Sequence, residues 1–304
     1  MTAAAAGIPT GTEDRSVVAK FLSLVMIEHS VFALPFAYIA ALTAMWRTSR
    51  SVHWWELVLI TVAMVSARTV AMGANRILDR GYDALNPRTA RRELVTGELS
   101  VAAALTGTGL ALIVFLLSAA ALSPKCLAYS PLAVFVLVLY SYGKRFTDVP
   151  HALLALAQFV APVGAWLAVT DRFSWASVAL GVAVGTWIGA FDMIYATQDV
   201  EIDRRVGIRS WPARWGVRSA LIWSAVGHVI TFASFVWFGL AADLGWLWWL
   251  GLSLTGVVLV YEHTIVKPND LSRVNRAFFT ANGVIGIGLF AFALADLIVH
   301  GLGA

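Results

Sequence analysis

The segment Leu57-Val58-Leu59-Ile60-Thr61-Val62-Ala63-Met64-Val65-Ser66-Ala67-Arg68-Thr69-Val70-Ala71-Met72 runs without a break into Gly73-Ala74-Asn75-Arg76-Ile77-Leu78-Asp79-Arg80-Gly81-Tyr82-Asp83. Its first part carries one charge, Arg68, and belongs to an apolar run of the length a membrane helix needs, about 20 residues. Its second part places Asn75, Asp79 and Asp83 at i, i+4 and i+8, one side of a helix that continues past the apolar run. The rest of the chain has the same character. Of 304 residues 59% are hydrophobic and 13% charged, with mean hydropathy +0.76; soluble domains carry about 25% charge. That shortfall excludes a disordered chain and argues against a soluble two-domain enzyme. Thirteen Trp and sixteen Phe suit a protein that meets bilayer interfaces. A single cysteine, Cys126, forms no intrachain disulfide and is too little for a thiolate metal centre.

Nine apolar spans are expected, near 21–46, 53–75, 99–122, 127–143, 150–170, 174–198, 217–241, 244–262 and 276–300. The fold class is therefore all-α: a polytopic membrane protein with about nine transmembrane helices around a central chamber, and cap loops after helices 2 and 6. Residues 1–16 read as a short disordered tail without a signal-peptide pattern, and 17–304 as one transmembrane domain. Alternate loops hold 17 of the Lys and Arg residues against 4 on the other side. The positive-inside rule then puts the N-terminus and both cap loops in the cytoplasm. Basic residues gathered at span ends serve orientation and anionic ligands, so nucleic acid is not expected as a partner.

The second cap loop repeats the acid pattern: Asp199 and Asp203 are four apart, and Asp192 lies nearly two turns before Asp199. Acids four apart on a helix repel by a few tenths of a kcal/mol in water, and more where the dielectric falls. A divalent cation reverses that sign. Mg2+ takes few carboxylates together with phosphate oxygens and water, and neighbouring arginines complement phosphate. Two facing clusters of this kind suit a diphosphate held through Mg2+. A single such motif is more often a solvated charged loop; two, about 120 residues apart and leaving even-numbered spans on the same side, weigh against that reading.

Asn75-x-x-x-Asp79-x-x-x-Asp83 followed by Asn86-Pro87-Arg88-Thr89, with Asp199-x-x-x-Asp203 after span six, resembles the paired signature of the UbiA-type intramembrane prenyltransferases. Ser141-Tyr142-Gly143-Lys144-Arg145-Phe146-Thr147 after span four extends the resemblance over nearly the whole chain. Ile27-Glu28-His29-Ser30-Val31-Phe32-Ala33-Leu34-Pro35-Phe36 and Tyr195-Ala196-Thr197-Gln198-Asp199-Val200-Glu201 are similar to the bacterial 4-hydroxybenzoate polyprenyltransferase branch, in particular to its members in the futalosine route to menaquinone. Glu93 departs from it, where the family commonly has proline. The resemblance implies that Asn75, Asp79, Asp83, Asp199 and Asp203 hold Mg2+ and a polyprenyl diphosphate. It also implies that Arg80, Lys144, Arg145 and Arg204 contact the diphosphate or the acceptor's carboxylate. Asp192, Tyr195 and Gln198, on or near the acid stripe, are candidates to orient an aromatic acid, 4-hydroxybenzoate or a dihydroxynaphthoate. Another lipophilic acceptor, haem or a chlorophyllide, stays open at this point. A secondary transporter with ion-coupling acids is the rival class, although its acids belong near the membrane midplane rather than at helix ends.

Weaker signals complete the reading. Glu28-His29 is an ionisable pair in an apolar run, and Arg68 is expected to play a structural part, snorkelling or pairing with Glu56 or Asp192. Trp54, Trp55, Trp246, Trp248 and Trp249 read as an interface belt. Gly181, Gly185 and Gly189 read as a small-residue stripe for close helix packing that brings the Asp199 motif near its partner.

Overall fold

A computed structural model describes residues 16–25, 34–276 and 282–303. The expected tail, apart from Ser16, and the Glu28-His29 pair lie outside these residues. All regular structure among the described residues is helical: α1 Val17–Leu24, α2 Leu34–Thr48, α3 Trp54–Asp83, α4 Glu93–Thr96, α5 Val101–Leu122, α6 Pro124–Phe146, α7 Pro150–Thr170, α8 Trp175–Ala196, α9 Val200–Val206, α10 Trp211–Trp215, α11 Val217–Ala242, α12 Trp246–Ile265, α13 Val274–Arg276 and α14 Asn282–Val299. A 3-10 turn, Thr197–Asp199, joins α8 to α9.

Among the described residues, seven helices are long and apolar enough to cross a membrane: α3, α5, α6, α7, α8 continued through α9, α11 and α14. The chain is a multi-pass membrane protein. Large apolar side chains such as Leu110, Leu117, Leu132, Phe135, Val229 and Ile287 stand exposed along these helices, a surface that water would penalise and lipid covers. The backbone turns where the sequence supplies caps. The Ser100, Ser123 and Ser174 hydroxyls accept from the first turns of α5, α6 and α8, and Pro124 and Pro150 occupy first-turn positions that have no use for an N–H. Glu93, the departure from the family pattern, opens α4 and accepts a 2.6 Å bond from Ser23 Oγ, tying that loop back to α1.

Packing is densest where α2, α7, α8, α11, α12 and α14 meet. Phe36 of α2 is fully buried, its ring 5.1 Å from Trp187 and 5.9 Å from Phe235, while Trp248 closes on Phe235 and Phe238 at 6.1 and 5.3 Å. The interface-belt expectation therefore divides. Trp54, Trp55 and Trp246 are exposed, but Trp248 is buried, because two residues along a helix rotate the side chain by about 200°. The glycine stripe packs α8 on α7: a Cβ on Gly181 would meet the Phe159 ring at 2.6 Å, on Gly185 the Ala155 carbonyl oxygen at 2.4 Å, and on Gly189 the His151 carbonyl oxygen at 2.9 Å.

Candidate active site

One cavity of about 780 Å³ runs between α3, α5, α6, α7 and α8. Asn75, Asp79, Asp83, Asp199 and Asp203 all line it, so the two acid rows share one chamber. Arg68 and Asp192 line it two turns before Asn75 and Asp199 on their helices, about 10 Å further in by helix rise. Apolar and aromatic side chains, among them Phe115, Leu122, Tyr129 and Phe173, form its remaining walls. A charged rim thus opens onto a greasy interior.

Each acid in the rim meets a polar or cationic side chain. Asp79, almost fully buried near the end of α3, forms ion pairs with Lys144 and with Arg145, whose Nη2 lies 3.1 Å from Oδ1; Asn75 Nδ2 donates to its Oδ2 at 3.0 Å. Lys144 and Arg145 come from the last turn of α6. Arg145 also lies over the Tyr82 and Tyr142 rings at 5.3 and 5.1 Å and donates to the Leu78 carbonyl at 2.7 Å, which fixes the end of α6 against α3. Arg92 Nη1 is 2.6 Å from Asp83 Oδ1. On the second row Ser210 Oγ donates to Asp203 Oδ2 at 3.0 Å.

Arg88 and Asn86 link the rows. Both follow Asp83 in the first loop, yet they reach the second motif: Arg88 Nη2 and Nε donate to Asp199 Oδ2 and Oδ1 at 2.6 and 3.2 Å, and Asn86 Nδ2 donates to Oδ1 at 3.4 Å. Arg88 also covers the Tyr195 ring at 5.6 Å. Burial lowers the Arg88 pKa, but the hydrogen bonds and charge of Asp199 outweigh it and hold the guanidinium above its ordinary value, permanently cationic.

Three of the residues implied by sequence face elsewhere. Arg80 Nε donates to the Leu94 carbonyl at 2.9 Å, Arg204 Nε to the Ala213 carbonyl at 2.8 Å, and Gln198 Nε2 to the Tyr195 carbonyl at 3.4 Å; none of the three lines the cavity. Each directly follows or precedes an aspartate of the stripe, so about 100° of rotation in an α-helix, or about 120° in the 3-10 turn that holds Gln198, turns it aside. Asp192 and Tyr195 do line the cavity, and Asp192 Oδ2 lies 2.7 Å from His151 Nδ1. Arg88, Arg92, Asn86, Ser210 and His151 carried no role in the sequence reading. The Asn86-Pro87-Arg88-Thr89 motif was the available signal for two of them.

The donor set is of one chemical kind: four carboxylates and an amide, hard oxygen ligands suited to Mg2+. Among the described residues no three acids or histidines form a ready-made metal cage. The set therefore fits an ion that completes its shell with substrate phosphate oxygens and water.

A family model described as the UbiA prenyltransferase family matches residues 33–284. The chain belongs to the UbiA prenyltransferase family. It is similar to a UbiA homolog from Aeropyrum pernix K1 of known apo structure, with 32% identity and a TM-score of 0.81 over 89% of this chain and 98% of that one. A UbiA homolog from Archaeoglobus fulgidus, bound to DMAPP and Mg2+, shares the fold at 21% identity and a TM-score of 0.69 over 92% and 99% of the two chains. Among curated relatives, the 4-hydroxybenzoate octaprenyltransferase of Burkholderia mallei (strain NCTC 10247) is 29% identical over 284 residues, 90% of this chain and 97% of its own. This UbiA prenyltransferase is accordingly an enzyme.

Proposed function

We propose that the chain transfers a polyprenyl group from an allylic polyprenyl diphosphate to an aromatic acid, 4-hydroxybenzoate or a dihydroxynaphthoate, in quinone biosynthesis, and that it requires Mg2+. The observation that carries this reading is the junction of the two acid rows at one end of one apolar cavity, with Arg88 reaching from the first loop to Asp199 of the second. The name of the Burkholderia relatives supports the acceptor class, and the DMAPP and Mg2+ of the Archaeoglobus homolog support the donor and the metal.

In this reading Asn75, Asp79, Asp83, Asp199 and Asp203 hold Mg2+ and, with it, the diphosphate. Mg2+ bound there supplies the charge that stabilises the departing diphosphate. Lys144, Arg145, Arg88 and Arg92 exchange their aspartates for phosphate oxygens, and guanidinium forks suit that exchange. Arg80 and Arg204 join them only by leaving the Leu94 and Ala213 carbonyls. The aromatic and aliphatic walls keep water from the allylic carbon as its bond to oxygen weakens. Asp192, Tyr195 and Arg68, further in, orient the acid so that its electron-rich ring faces that carbon, with Gln198 supporting Tyr195 from behind.

The same reading counts nine crossings, adding α2 and α12 to the seven apolar helices. α12 has 20 residues, and its tryptophans together with Glu262 and His263 reduce its apolar character. The excess of Lys and Arg in alternate loops puts the acid end, as cap loops, in the cytoplasm, with residues 17–304 forming one transmembrane domain in a bacterial inner membrane. The deciding experiment incubates membranes containing the protein with radiolabelled prenyl diphosphate and a panel of aromatic acids, with Mg2+ or EDTA. A labelled product with one acid, formed only with Mg2+, supports the reading; no product with any acid rejects it.

A further inference from the structure

His151 opens α7 and is 4% exposed, while Asp192 of α8 stands in the cavity wall with its side chain about a quarter exposed. Their 2.7 Å contact couples a group the substrate can touch to one it cannot. The imidazole's other nitrogen, Nε2, is buried without a hydrogen-bond partner. A proton on Nε2 would be an unsatisfied buried donor, so the tautomer with the proton on Nδ1 is favoured, and that proton is donated to Asp192 Oδ2. The arrangement fixes one carboxylate oxygen and leaves the other, Oδ1, for a molecule in the cavity. Gly189 sets the closeness of the two helices here, since any side chain at that position would press on the His151 carbonyl. Among the described residues, Tyr140 of α6, Arg68 of α3 and Tyr195 of α8 are the other ionisable groups on this inner stretch of wall, with Asp79 and Arg76 nearer the rim.

We propose that His151 is a positioning residue that holds Asp192 aimed into the cavity, and that Asp192 takes the proton the aromatic acceptor loses. This rests on the aromatic prenyl-transfer reading. A C–C bond forms between the acceptor's ring carbon and the allylic carbon, and the allylic C–O bond breaks with its electron pair leaving on the diphosphate. The C–H bond at the substituted ring carbon then breaks, its electron pair restores aromaticity, and its proton passes to Asp192 Oδ1 and later to water. His151 touches neither substrate; it acts by fixing the rotamer of Asp192.

The test compares Asp192→Asn, His151→Leu and His151→Gln in membranes, with ring-deuterated and ordinary acceptor. Asp192→Asn is expected to lower kcat by about 100-fold and to bring out a primary isotope effect absent from the wild type. His151→Leu is expected to lower kcat about tenfold and raise the isotope effect, with KM for the prenyl diphosphate unchanged. His151→Gln, whose amide N–H still donates, is expected to recover most of the loss. The proposal falls if His151→Leu turns over like the wild type. It also falls if the Leu and Gln variants are equally impaired with the diphosphate KM rising in step, the mark of a packing defect. A wild type that prenylates no aromatic acid rejects the underlying function and the dyad with it; a working wild type beside an indifferent His151→Leu rejects the dyad alone.

Discussion

Asp79 concentrates the electrostatics of the rim into one carboxylate, buried and paired with two cations from another helix. Removing one member of a buried ion pair costs on the order of 3 kcal/mol. Asp79→Ala should therefore lose both turnover, by at least about 100-fold, and thermal stability, read as a lower Tm in detergent. Near-normal turnover would remove Asp79 from the metal and diphosphate site. Arg88 is a different case, half exposed and reached from a loop. Arg88→Ala should raise KM for the prenyl diphosphate by about tenfold to 100-fold, the worth of a charge-assisted hydrogen bond, and change kcat much less. The acids were legible in the sequence because repulsion at i, i+4 needs a reason. Their partners were not. Arg80, Arg88, Arg91 and Arg92 lie within thirteen residues of one another, and only the folded loop decides that Arg92 meets Asp83, Arg88 meets Asp199 and Arg80 turns to a carbonyl. His151 was a lone histidine after a proline, with nothing nearby to mark Asp192, 41 residues on, as its partner.

At the level of elements, the close approach of α7 and α8 holds the second acid row in place. Gly185→Ala would put a methyl group 2.4 Å from the Ala155 carbonyl oxygen. Overpacking of this kind costs about 1–3 kcal/mol, more than the roughly 1 kcal/mol that alanine gains in helix propensity. A lower Tm and reduced turnover should follow, whereas Gly109→Ala on α5, where a methyl meets nothing within 4 Å, should leave both unchanged or raise Tm slightly. The helices themselves were readable from length and apolarity, as was the role of the glycine stripe. The local register was less so. The sequence reading put Asp192 and Asp199 on one continuous helical stripe, but the 3-10 turn Thr197–Asp199 advances the chain by about 120° per residue instead of 100°. Both acids still line the cavity, while Gln198 between them faces away. Trp248 departed from the belt for a related reason: composition gives a helix its tryptophans, and only rotation tells which of them faces the core.

For the whole molecule, two outcomes follow from a charged rim over an apolar chamber. EDTA should abolish turnover and added Mg2+ restore it. Because Asp79, Asp83 and Asp199 already have cationic partners, Mg2+ alone should bind weakly, and much more tightly once prenyl diphosphate is present, as titration calorimetry would read. Strong binding of Mg2+ without the diphosphate would argue for a preformed metal cage. The chamber's depth sets the second outcome. Gly164 lines it with open space where a side chain would project, so Gly164→Leu should discriminate by length, with long prenyl donors losing far more kcat/KM than short ones in a product assay. Equal losses for all donors would mean that the tail lies elsewhere. In the proposed reading, the aspartates that meet Arg88, Arg92, Lys144 and Arg145 would also act as tethered decoys for the anion. Held at roughly millimolar-scale effective concentration, they would refill the cationic grip the moment spent pyrophosphate loosens, weakening capture of the donor somewhat but hastening the product's departure and returning the empty enzyme to a charge-balanced resting state.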